Sequence, residues 1–145
     1  MDVGYIGYNN HAASIINLSK KKFKKFKIYH PSKKLNSHFI NSIDALLDCD
    51  CIFILCPSKF HFKYLKYFND KKYSGYIFCE KIPVVNEKEL KNLSRFVNGK
   101  TYFNFNLRHS YLNKFLNFKK FGKLLYLNVV ETKPYLNIKN LSRNW

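Results

Sequence analysis

Short apolar runs alternate with helix-period segments along this chain, and the alternation predicts most of its elements. Residues 2–6 (DVGYI) read as a β-strand, and 11–19 as a helix that buries Ala12, Ile15 and Ile16 with Ala13 beside them. Phe26 to Tyr29 reads as a second strand, stopped by Pro31-Ser32. A polar connection and a short helical piece at 42–47 lead to CIFIL (51–55), an unbroken apolar run of the kind buried on both faces of a parallel sheet. Ser58 is placed to cap a helix whose Phe60, Tyr64, Leu65 and Phe68 share one face.

GYIFC (75–79) reads as a further strand. Asn86 and Glu89 form a capping-box pair ahead of Leu90, Leu93, Phe96 and Val97, which predicts a helix over 87–97 ended by Asn98-Gly99. TYFNF (101–105) is a strand, 110–118 a helix, and LLYLNVVET (124–132) a last strand. Repeated strand-helix-strand order implies an α/β fold, doubly wound around a mostly parallel sheet. Ligands of such folds sit outside the C-terminal ends of the strands, so the loops after residues 6, 29, 55, 79 and 105 are the places to search.

Composition changes this picture little. At 145 residues with 46% hydrophobic side chains, the chain can bury one core. The formal charge of +17 suggests attraction to polyanions, but only three of 26 basic residues are arginine, the side chain that clamps phosphates and reads bases. Lysine here accompanies 17 asparagines and many Ile, Phe and Tyr, all written by A/T-rich codons, so the charge is read first as codon bias. Cys49, Cys51, Cys56 and Cys79 include no Cys-x-x-Cys pair and are expected as buried reduced thiols, not as a metal site. Neither a signal peptide nor an apolar span of membrane length is evident, and a soluble cytoplasmic location is expected.

Two loops suggest a nucleotide. Gly7-Tyr8-Asn9-Asn10-His11-Ala12 follows G-x-G-x-x-A with asparagine in the second glycine position. Gly7 permits a tight turn, Ala12 permits close packing of helix on strand, and N–H groups at the helix start can hold a diphosphate. Asn9 is expected to tolerate a positive φ there. Taken alone, an ordinary strand-to-helix turn fits this stretch equally well. The loop after the second strand, where a carboxylate usually accepts from an adenosine ribose, instead carries His30, Ser32, Lys33 and Lys34. A hydroxyl and ammonium groups suit a 2'-phosphate, which favours NADP over NAD; a plain basic surface turn is the alternative.

The order of the remaining motifs supplies a resemblance. CPSKFH sets Pro57 and His61 four apart, FCEKIP places Glu80-Lys81 at the next strand end, and NFNLR follows at 104–108. With the first loop, this series resembles the N-terminal half of the glucose-fructose oxidoreductase and inositol dehydrogenase family (Gfo/Idh/MocA), over roughly residues 2–132. The resemblance implies a Rossmann domain over 1–122 that holds NADP or NAD, and a sugar-like substrate oxidised or reduced at a hydroxyl or keto carbon. Gly7 to Ala12 would face the diphosphate; Cys56, Pro57 and His61 the ribose and nicotinamide side; and Glu80 the nicotinamide ribose. Lys81 would be catalytic, reaching the substrate beside the hydride-transfer centre.

The chain departs from the family pattern at Asn9, at the absent second-strand acid, at Cys56 in place of threonine, and at Ile82 in place of proline. Residues 123–145 would be the first strand and tail of a truncated second α/β domain, which leaves the short chain inactive on its own. A basic polyanion-binding module, or an inactive remnant of the fold, is the alternative.

Overall fold

A computed structural model describes residues 1–23 and 25–105. Six strands, all parallel, run β1 (Asp2–Ile6), β2 (Lys25–Tyr29), β3 (Phe39–Ile40), β4 (Cys51–Ile54), β5 (Tyr76–Glu80) and β6 (Thr101–Asn104) along the chain. Their order across the sheet is β3-β2-β1-β4-β5-β6. The chain therefore reverses direction of travel between β1 and β4, which opens a crevice at their C-terminal ends.

Alternation along the strands feeds two half-cores. Val3 and Tyr5 in β1, Ile28 in β2 and Cys51 in β4 pack with Ala12 and Ile16 of helix α1 (Asn10–Ser19). Ile6, Ile52, Ile54, Ile77 and Cys79 pack instead with Tyr64, Leu65 and Phe68 of helix α2 (His61–Asp70). Burial on both faces explains why β4 reads as a continuous apolar run. On the α1 side, rings of Tyr5, Phe53, Phe78 and Tyr102 stack in register across four neighbouring strands, with centroids 5.0–5.4 Å apart.

Several boundaries differ from the pattern-based expectation. Ser58 does not cap the third helix: Ser58–Phe60 is a 3-10 turn, and α2 begins at His61. The helix expected over 87–97 is α3 (Glu87–Leu93), with Asn86 Oδ1 accepting from the Glu89 N–H at 2.9 Å and Glu89 Oε2 accepting from Val85 N–H at 3.0 Å. Asn98 instead shapes the turn into β6, accepting from Lys100 N–H at 2.8 Å. The helical piece at 42–47 is a 3-10 turn at Ile43–Leu46, and the two-residue β3 is too short to carry a period. The helix expected at 110–118, the strand at 124–132 and the boundary at 122/123 lie outside the described residues.

Cys49, Cys51 and Cys79 are buried, Cys56 is half-buried, and all four are free thiols. No helix among the described residues is long and apolar enough to cross a membrane.

Candidate functional site

The site is built from the ends of β1, β2 and β4. Gly7 follows β1 with φ +101°, a conformation open to glycine, and a Cβ there would stand 2.8 Å from Cys56 N and Cα. Both facts require glycine: it lets the first loop lie directly on the fourth strand's end. Its N–H donates to Tyr29 O at 3.0 Å, which joins the loop to β2 as well.

Asn9 differs from the expectation of a positive φ. Its φ is −93° and ψ 179°, ordinary extended backbone, and it is the N-cap of α1, its Oδ1 accepting from Ala12 N–H at 2.8 Å. The side chain thus occupies an amide at the helix start that could otherwise face an anion. The N–H groups of Asn10 and His11 lie in the first turn, where helices have no intrahelical acceptor. Ala12 is fully buried under the helix, as close packing requires.

The loop after β2 is ordered by one imidazole. His30 Nδ1 accepts from the backbone N–H of Ser32 at 3.2 Å and of Lys33 at 3.0 Å. Burial and the Lys33 ammonium push His30 below the usual histidine range, which suits a ring that must keep a lone pair on Nδ1. Lys33 Nζ donates to Tyr8 O at 3.1 Å, tying this loop to the first.

Between these loops and the start of α2 lies a cleft of about 500 Å³, lined by Gly7, Tyr8, Asn9, His30, Ser32, Lys33, Cys56 and Pro57 from the sequence-derived set. Ile6, Pro31, Phe60, Lys63 and Tyr64 complete it. Phe60, expected on the buried face of its helix, is 39% exposed because the 3-10 turn rotates it out of the core. Burial pushes the Cys56 thiol up to about 12, so it stays protonated beside the cleft.

Glu80, Lys81, His11 and Asn104 form a second group at the ends of β5 and β6. Glu80 Oε1 accepts from Asn104 Nδ2 at 2.7 Å and lies 3.4 Å from His11 Nε2, with the Glu80 side chain only 13% exposed. Lys81 follows with an exposed side chain, its N–H donating to Glu80 Oε2 at 3.3 Å. His61 meets the first group only at the backbone carbonyl of Cys56. It is 1% exposed, with Nε2 2.7 Å from Cys56 O and Nδ1 2.8 Å from Ile82 O. The expectation that it contacts a ligand changes to one of support behind the cleft.

Strand order, two-sided packing and a crevice at the switch point define a Rossmann-like α/β domain. The same fold occurs in myo-inositol dehydrogenase from Lactobacillus casei, solved in complex with NAD(H) and myo-inositol: TM-score 0.66 and 16% identity, over 83% of this chain and 41% of that one. UDP-N-acetylglucosamine 3-dehydrogenase GnnA from Acidithiobacillus ferrooxidans matches with TM-score 0.63 and 17% identity, over 84% and 44%. The WlbA dehydrogenase from Bordetella pertussis, in complex with NADH and UDP-GlcNAcA, matches with TM-score 0.57 and 12% identity, over 79% and 40%. These neighbours are oxidoreductases of the Gfo/Idh/MocA type. The chain spans less than half the length of each. No protein-family model matches the sequence, and no curated protein matches it either.

Proposed function

We propose that the chain is the NAD(P)-binding domain of an oxidoreductase that moves hydride between a nicotinamide cofactor and a hydroxyl or keto carbon of a sugar-like molecule. The observation that carries this reading is the cleft at the switch point, where the Gly7 turn, the start of α1 and the His30–Lys33 loop converge. A dinucleotide laid across it would meet first-turn amides at its diphosphate and Ser32 and Lys33 at its adenosine ribose. With no carboxylate on that loop and two cations, Lys33 and Lys63, on the cleft wall, NADP is preferred. The bound cofactor would supply the hydride acceptor or donor. Glu80, held by Asn104, would orient the nicotinamide ribose, and the exposed Lys81 ammonium would stabilise charge developing on the substrate oxygen.

Titrating NADPH and NADH against the purified chain tests the reading. Saturable binding, tighter for NADPH, is expected; no saturation at millimolar cofactor would overturn it. The chain alone is expected to be inactive. In a longer form with a substrate domain, Lys81→Ala should abolish turnover and leave cofactor affinity unchanged. The charge of +17 favours a second reading, a module that holds nucleic acid or another polyanion. Binding to duplex or single strands that falls steeply with salt and ignores dinucleotides would select it.

A further inference from the structure

His61, the one buried histidine among the described residues, takes no direct part in the proposed hydride chemistry. His61 opens α2, and its two ring nitrogens meet two carbonyls that belong to different loops: Cys56 O after β4 and Ile82 O after β5. Ser58, one turn earlier, adds a third link, with its Oγ 3.4 Å from Lys81 O. A single segment, Ser58 to His61, therefore reaches the consecutive carbonyls of Lys81 and Ile82.

The two carbonyls stand 2.7 and 2.8 Å from the ring nitrogens of a side chain that is 1% exposed, so the imidazole bridges the end of β4 and the loop after β5. A carbonyl oxygen only accepts, and the Ser58 hydroxyl donates to the neighbouring Lys81 carbonyl at 3.4 Å.

We infer that His61, together with Ser58, clamps the Lys81–Ile82 backbone to the end of β4, which makes it a positioning residue for Lys81. The functional part of this inference rests on the proposed role of Lys81; the clamp itself does not.

A measurement on the full chain tests it without a cofactor. Backbone ¹⁵N relaxation at the Ile82 amide, which shares a peptide with Lys81 O, should give an order parameter near ~0.85 in the native chain and below ~0.6 in His61→Gln. If that variant does not fold, Ser58→Ala serves, with a smaller fall at the same amide. An unchanged Ile82 order parameter in the folded variant would overturn the clamp. Failure of NADPH and NADH to bind would sink the functional reading and leave the clamp result untouched.

Discussion

At the scale of single residues, Asn9 is the position whose meaning moved most. Its motif position called for glycine and a permissive backbone, but the structure needs neither, because φ is −93° and the side chain caps α1. Asn9→Gly should cost only a few tenths of a kcal/mol in stability, since glycine is a tolerable N-cap. It releases the Ala12 N–H, so NADPH and NADH should bind about fivefold tighter, the worth of one hydrogen bond of about 1 kcal/mol. Calorimetric titration beside thermal denaturation checks both halves. Gly7, by contrast, was legible from its motif position: the β1 loop must touch Cys56, and only a residue without Cβ fits.

His30 carries a pH dependence whose sign follows from its bonds. Folding lowers its pKa, so its contribution is complete above the unfolded value of about 6.5 and is lost as pH falls through the lower folded value. Protonating Nδ1 removes the acceptor of the Ser32 and Lys33 amides, and the loop should open below that point. The amide shifts of Ser32 and Lys33 should titrate with a midpoint below about 6.5; a higher midpoint would contradict the bonding. Nothing in the sequence announced this arrangement, because a histidine that folds its own loop has no periodic signature.

At the scale of elements, hydrophobic period located the strands and helices well and their ends poorly. β1, β4 and β5 were recovered within a residue or so: β1 and β4 are apolar runs buried on both faces, while in β5 buried Ile77 and Cys79 alternate with exposed Tyr76 and Phe78. The start of α2 was misplaced because Ser58 has the chemistry of a cap but turns its hydroxyl toward Lys81 O. That offset hid Phe60 and Lys63 from the sequence-derived site. Phe68, fully buried on the face that α2 gives to the sheet, tests the element's packing: Phe68→Ala should destabilise the fold by about 3–5 kcal/mol in chemical denaturation. A loss under ~1 kcal/mol would mean that α2 is not seated as described.

For the molecule as a whole, the doubly wound order was legible from alternation alone, and the ordered motifs at Gly7, Pro57, Glu80 and Asn104 gave the resemblance that the structural neighbours share. Which of the motif residues would face a ligand was not legible. His61 and Pro57 stand four apart in the same motif, yet one is sealed behind the cleft and the other lines it. Sequence spacing places residues on an element; it does not say which side of a loop the side chain takes.

The central place of β1 has a consequence for how the chain is made. β1 is flanked by β2 and β4, so its second partner appears only when Cys51 to Ile54 have been synthesised. Until then, the β4-facing edge of β1 has nothing to pair with, and parallel pairing across such a separation is slow to form. A fragment of residues 1–48 should therefore stay unfolded by circular dichroism, while one of residues 1–109 should fold. A folded 1–48 fragment would show that β1, α1 and β2 are an autonomous unit.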